Sequence, residues 1–273
     1  MCKKEIIKTR EFCNQNQRKD DLMNIKMKKV FTIFMVVLMG VCSVTSLAYG
    51  WYFKGADNGQ RPILCPEADF VDNYDVIKIG NENDKKIYLT FDAGYENGNV
   101  EKILDILKAN DVKGTFFVLP NLVSRNTDLC KRMKEEGHIV GNHSVSHSNM
   151  SKHVDIEFFV KETQPLEELF LEKTGYEMDK YFRPPEGAFN EAILKHATKC
   201  GYTTVFWSLA YADWDEKAQK NPEKTLELLV SRTHNGCVML LHPTSETNTL
   251  ILDEYIKTMK GKGYEFCLVS ELK

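Results

Sequence analysis

Five short stretches carry side chains that can move protons, hold a metal or orient a carboxylate. Each sits at or just past the end of an apolar run. Asp92 closes Leu89-Thr90-Phe91-Asp92, and His143 and His147 lie in Gly-Asn-His-Ser-Val-Ser-His. Arg183 opens Arg-Pro-Pro-Glu-Gly, Asp213 and Trp214 follow Tyr211-Ala212, and His242 closes Leu240-Leu241-His242. A carboxylate and a histidine can serve as general base and general acid. Two histidines four residues apart, facing one way on a helical turn, can hold a metal. An arginine beside two prolines and a glycine has a stiff, closely approachable backbone and can grip a carboxylate. Taken singly, each has a structural reading too. Asp92 can cap a loop or helix, the histidines can be surface residues, and Arg183 can belong to a surface ion pair. Trp214 and His242 can be satisfied core side chains.

The elements around these residues alternate. Lys86–Phe91 is strand-like. Val100–Ala109 puts Ile103, Leu104, Ile106 and Leu107 on one helical stripe. Gly114–Leu119 reads as a strand and Leu129–Glu136 as a helix ended by Gly137. His138–His143 is a strand, and Ile156–Lys173 a longer helix closed by Gly175. Strands at Tyr181–Pro185 and Thr203–Ala210 flank a helix at Glu191–Lys199, closed by Gly201. Pro222 opens a helix, Cys237–His242 is a strand, Leu252–Met259 a helix, and Tyr264–Ser270 a final strand. About seven βα units imply a parallel sheet with crossover helices, and seven or eight strands close most readily as a barrel. The polar stretches then share the C-terminal edge of the strands, where ligands bind in such folds.

The chain has 273 residues, 42% hydrophobic and 27% charged, with a formal net charge of −3. That is an ordinary globular composition, and without a clustered basic face nucleic acid is not an expected partner. Lys28-Lys29 precede an uncharged stretch from Val30 to Phe53 that includes Ser46-Leu47-Ala48. This pattern suits a secretory signal cleaved after Ala48, and the stretch is also long enough for an uncleaved membrane anchor. Both readings place the rest of the chain outside the cytoplasmic membrane, and Met27 is a plausible true start. Beyond the leader, Cys65, Cys130, Cys200, Cys237 and Cys267 are odd in number and scattered, unlike a disulfide framework or a zinc site. The division expected is a leader over 1–49, an irregular N-terminal arm over 50–85 and one α/β domain over 86–273.

The order of the five blocks carries more than any one of them. Thr-Phe-Asp-x-Gly, His-Ser-x-x-His at its strand end, Arg-Pro-Pro-x-Gly, Asp-Trp and Leu-Leu-His together resemble the NodB-like polysaccharide deacetylases, carbohydrate esterase family four. The resemblance covers Lys86 to Leu272. It implies a distorted, incomplete (β/α) barrel and a metal-dependent hydrolase that removes acetyl groups from amino sugars. It implies Asp92 as general base and His143 and His147 as ligands of a divalent metal, Zn²⁺ in the first instance, with Co²⁺ or Mn²⁺ as alternatives. Arg183 orients the base, the backbone amide of Glu186 helps form the oxyanion site, Asp213 supports Arg183 and the catalytic histidine, Trp214 lines the pocket, and His242 is the general acid.

One position departs from the family pattern. Most members carry a second Asp, the third metal ligand, where this chain has Ala93. The surrounding words, "TFDAGYENG", "GNHSVSH", "RPPEGAF" and "FWSLAYADW", with a "GWYFK" arm before them, resemble the subgroup that deacetylates N-acetylmuramic acid in peptidoglycan, leading to muramic δ-lactam in spore cortex. That subgroup also lacks the usual second Asp. The partner implied is the peptidoglycan glycan strand, and membrane contact is limited to the N-terminal hydrophobic segment. Two alternatives stand beside this reading: a deacetylase of N-acetylglucosamine in peptidoglycan or a chitin-like glycan, and a non-catalytic glycan-binding relative that lost its metal through Ala93.

Overall fold

The computed structural model describes residues 47–272. The uncharged stretch from Val30 therefore lies largely outside the described residues, as does any leader before it. Among the described residues, no helix is long and apolar enough to cross a membrane. The five cysteines beyond the leader are free thiols, with Cys65, Cys130 and Cys237 buried.

The arm opens with three short strands, β1 (Tyr49–Gly50), β2 (Phe53–Lys54) and β3 (Ile63–Leu64), followed by β4 (Val76–Ile77). Then come β5 (Lys86–Ala93), α1 (Val100–Ala109), β6 (Thr115–Val118), α2 (Pro120–Arg125), α3 (Thr127–Glu135) and β7 (Ile139–Asn142). The second half runs α4 (Ile156–Thr174), β8 (Tyr181–Phe182), β9 (Ala188–Phe189), α5 (Glu191–Lys199) and β10 (Thr203–Val205). It finishes with α6 (Pro222–Arg232), β11 (Cys237–Leu241), α7 (Glu246–Gly261) and β12 (Glu265–Phe266).

The main sheet is parallel and runs β11-β5-β6-β7-β8-β10-β4, with β12 paired to the first residues of β5. It curls into an incomplete barrel wrapped by helices. Alternation along β5 sorts the two faces, as period 2 requires. Ile87, Leu89, Phe91 and Ala93 pack into the core under the helices, with Ile103, Leu104 and Leu107 of α1. Tyr88 packs inside the curl with Ile77, Phe117, Ile139, Val205 and Val238. Thr90 and Asp92 share the register of Tyr88, so the carboxylate belongs to the inner face.

Several elements differ from their sequence expectation, and hydrogen bonding explains most of the differences. The strand expected over Thr203–Ala210 stops at Val205. The next residues leave one edge of the sheet for the other: the Phe206 amide donates to Ile77 O, whereas the Ser208 amide donates to Val238 O. An isolated parallel bridge, Leu209 to Met239, ties the two edges together. The final strand shortens to Glu265–Phe266 and a tight turn at Val269–Leu272 replaces its end. Helix α7 starts six residues earlier than its apolar periodicity suggests, because Ser245 caps it by accepting from the Asn248 amide.

The arm is also more ordered than its composition suggests. Its strand β4 joins the main sheet beside β10, and β1 pairs antiparallel with β9. Trp51 stacks on Phe206 at 4.3 Å between ring centroids. Its indole Nε1 donates to Trp207 O at 2.8 Å, and its backbone amide to Gly187 O at 2.8 Å. The arm thus braces the Arg-Pro-Pro-Glu-Gly turn from behind.

Candidate active site

The innermost group is Asp92 with Arg183. The guanidinium is fully buried, and a buried charge needs partners on every side. It has them. Nη1 donates to Asp92 Oδ1 at 2.8 Å, Nε to Val205 O at 2.9 Å and Nη2 to Thr90 Oγ1 at 2.8 Å. Its flat face lies 4.3 Å from the Phe117 ring centroid. Thr90 in turn donates to Met239 O at 2.6 Å, so the hydroxyl ties Arg183 to the strand that leads to His242. Burial pushes the Asp92 carboxyl upward, but the charge of Arg183, helped by the neighbouring histidines, outweighs it and holds the group below its ordinary value. Asp92 is therefore ionised at neutral pH.

His143 and His147 come next, and here the local geometry corrects the expectation of a helical turn. Strand β7 ends at Asn142, and the chain then bends through left-handed residues at Ser144 (φ 71°) and His147 (φ 53°). Side-chain bonds hold the bend: Asn142 Oδ1 accepts from the Ser144 amide, and Ser144 Oγ from the His147 amide. A bend rather than a helix brings the rings together at 5.1 Å between centroids. His143 Nδ1 lies 2.9 Å from Arg183 O. A carbonyl only accepts, so Nδ1 carries the proton and Nε2 keeps its lone pair, 3.5 Å from Asp92 Oδ2. Burial drives the His143 pKa down to about 4, which keeps the ring neutral at neutral pH.

At the other side stand Asp213 and His242. Asp213 Oδ1 accepts from His242 Nδ1 at 2.7 Å, and Oδ2 from the His242 amide at 2.8 Å. Burial alone would lower the His242 pKa. The hydrogen bond and charge of Asp213, with Asp92 behind, reverse this and raise it. Trp214 is 63% exposed, and its ring sits 6.3 Å from that of His242. The expected support of Arg183 by Asp213 is not seen as a hydrogen bond: the partners of Asp213 are His242 and Asn248.

Asp92, His143, His147, Glu186, Trp214 and His242 all line one pocket of about 610 Å³. Arg183 and Asp213 stand buried behind its wall. Glu186 occupies a left-handed turn (φ 59°) between Pro185 and Gly187. Gly187 also has a positive φ of 64°, and a Cβ there would come within 2.8 Å of the Trp207 ring, so only glycine fits. Tyr95, Trp207 and Thr244 line the pocket as well and were not singled out in the sequence. Tyr95 follows the Asp92 motif directly, which was the available signal. Thr90, inside that motif, carried one as well.

A divalent ion would find two fitting donors here, His143 Nε2 with its free lone pair and His147. Ala93 provides no third. Its methyl is fully buried and packs in the core on the helix side of β5. Among the described residues no group of three His, Cys, Asp or Glu side chains is arranged to hold a metal. The protein's own donor set therefore fits an ion only in part, and further ligands would have to come from solvent or substrate.

Fold and pocket together define a hydrolase of the deacetylase type: an incomplete parallel barrel whose strand ends present an ionised carboxylate opposite a proton-bearing histidine. Residues 79–205 match the family model described as "Polysaccharide deacetylase". The chain is 39% identical over 223 residues, 81% of this chain and 84% of the relative, to the peptidoglycan-N-acetylmuramic acid deacetylase PdaA of Bacillus subtilis. It is 42% identical, with the same coverage, to an uncharacterized 30.6 kDa protein of Geobacillus stearothermophilus. The solved structure of Bacillus subtilis PdaA, a family 4 carbohydrate esterase, superposes with a TM-score of 0.78 and covers 82% of this chain and 96% of that one. A family 4 carbohydrate esterase from Bacillus anthracis, 36% identical, gives 0.68, with 84% and 97% covered. The chain belongs to the polysaccharide deacetylases of carbohydrate esterase family four.

Proposed function

We propose that this protein removes the acetyl group from N-acetylmuramic acid residues of peptidoglycan outside the cytoplasmic membrane, as a step toward muramic δ-lactam in spore cortex. The observation that carries the chemistry is the pairing of Asp92, bound to Arg183, with His242, whose proton affinity its hydrogen-bonded partner Asp213 raises, across one pocket. The similarity to Bacillus subtilis PdaA supports the substrate.

The residues divide the reaction between them. Asp92 takes a proton from the attacking water as its oxygen bonds to the acetyl carbonyl carbon. The turn at Glu186 would offer its backbone amide to the oxygen that becomes negative. The carbon–nitrogen bond then breaks, and the departing amine accepts a proton from His242, without which it is a poor leaving group. Acetate and a free amine result, and on muramic acid that amine can close on the lactyl carboxylate. Arg183 keeps the base charged and aimed, and Trp214 presents an apolar face to the sugar. When bound at His143 and His147, a divalent ion, Zn²⁺ in the first instance, supplies Lewis acidity that polarises the carbonyl and acidifies water.

The test is acetate release by residues 49–273 from a muramic-acid-containing glycan lacking stem peptides. It is run after chelation, with and without added Zn²⁺, beside His143→Ala. Metal-dependent release that the substitution abolishes, with a lactam mass in the product, is the expected result. Release from N-acetylglucosamine glycans alone would move the substrate assignment. No release from any acetylated glycan with any metal would reduce the protein to a glycan binder, with Ala93 marking a lost metal site.

A further inference from the structure

Asn248 lies in the first turn of α7 and is 1% exposed. Its side-chain amide makes three bonds. Nδ2 donates to Asp213 Oδ2 at 2.7 Å and to His242 O at 3.0 Å. Oδ1 accepts from the Tyr211 hydroxyl at 2.6 Å. The orientation is not arbitrary. Both neighbours of Nδ2 are acceptors, so a flipped amide would set oxygen against oxygen twice. Burial, then the charge of Asp213, also raises the pKa of the Tyr211 hydroxyl, so that group keeps the proton it donates. Asp213 is almost wholly buried and has no Arg or Lys partner among the described residues; its bonds come from the His242 amide, His242 Nδ1 and Asn248. Asn248 thus holds both members of the Asp213–His242 dyad at once, the carboxylate through Oδ2 and the histidine through its backbone carbonyl.

We infer that Asn248 is a positioning residue for proton delivery, locking Asp213 against His242 Nδ1 so that Nε2 is left to face the pocket and the substrate amine. The inference rests on the reading of His242 as proton donor. Without the amide, nothing from α7 restrains the carboxylate, and it can swing off Nδ1. The charged groups that act on His242 are Asp213 from the segment after β10, Asp92 from β5 and Arg183 from the segment after β8. Only Asp213 is touched by Asn248.

The test compares Asn248→Ala, Tyr211→Phe and His242→Ala in the full chain. It reads kcat and KM for acetate release against pH, and the His242 imidazole titration by NMR, which needs no activity. For Asn248→Ala the expected result is a fall in kcat on the order of tenfold to a hundredfold, with KM within about twofold. The His242 midpoint and the alkaline limb of the rate profile should move down together. Tyr211→Phe should move both in the same direction by less. A folded Asn248→Ala protein with unchanged kcat and an unchanged His242 midpoint overturns the inference. If that variant does not fold, Tyr211→Phe decides by the same two readouts. If His242→Ala stays active, the proton-donor reading itself fails. If it is inactive while Asn248→Ala behaves as the parent, only the role of Asn248 is lost.

Discussion

Two carboxylates flank the pocket, and they are held in opposite ways. Asp92 faces an arginine that cannot give up its proton. Asp213 faces a histidine that can. Both are desolvated, so the difference lies in the partner. A guanidinium fixes Asp92 as an anion with an oxygen left over for substrate water. An imidazole paired with Asp213 has its own proton affinity raised. The same residue type thus produces a base on one side and sustains an acid on the other.

The sharpest way to break this contrast is to remove the fixed cation. Arg183→Met leaves Asp92 buried without its partner. We expect activity to vanish and folding stability to fall by about 3–5 kcal/mol, measured by chemical denaturation. A fall under about 1 kcal/mol would mean that water replaces the guanidinium.

Next in size, Asp213→Asn keeps the shape of the second side but removes its charge. We expect kcat to drop on the order of 10²–10³-fold with KM nearly constant, read from steady-state kinetics.

The pH dependence sharpens the contrast without any substitution. Activity needs Asp92 ionised and His242 protonated. The rate should therefore fall below the depressed Asp92 pKa and above the raised His242 pKa, giving a bell. Stability should fail in opposite directions as well. Asp92 has a lower pKa folded than unfolded, so its contribution is present above the usual carboxylate range and is lost as pH falls. His242 has a higher pKa folded, so its contribution is complete below about 6.5 and is lost as pH rises through the folded value. Unfolding curves for the parent, Arg183→Met and Asp213→Asn across pH would separate the two limbs.

The smallest expected effect is at the rim. Trp214→Ala removes an exposed surface that meets ground state and transition state alike. KM should rise several-fold with kcat almost unchanged, and a matching loss in kcat would place the ring in the chemistry instead.

Much of this was legible in the sequence. The strand-then-helix alternation marked the parallel sheet, and the polar residues ending apolar runs marked its functional edge. Of the eight site residues singled out, Asp92, His143, His147, Glu186, Trp214 and His242 line one pocket, while Arg183 and Asp213 are buried and do not line it. Local pattern failed where long-range bonds decide. Residues 203–210 read as a strand because they are apolar, yet from Phe206 they bridge two edges of the sheet. His143 and His147 have helical spacing, but their approach comes from a bend held by Asn142 and Ser144. Asn248 could not be picked out, since an asparagine in a helix looks the same whether it faces solvent or a buried carboxylate. Ala93 was visible as a departure, but only the register of β5 shows its methyl turned toward the helices.

The brace from the arm has a consequence for how the chain reaches this state. Trp51 Nε1 meets Trp207 O across 156 positions of sequence, and β1 finds β9 over a similar span. Contacts so distant close late and slowly. During synthesis the first strands must wait, unpaired, until most of the polypeptide has emerged. The turn carrying Glu186 gains its rear support only then. The rear of the pocket is thereby completed only once Gly187 and Trp207 have joined the fold, and a folding molecule has its base before it has a finished place to use it.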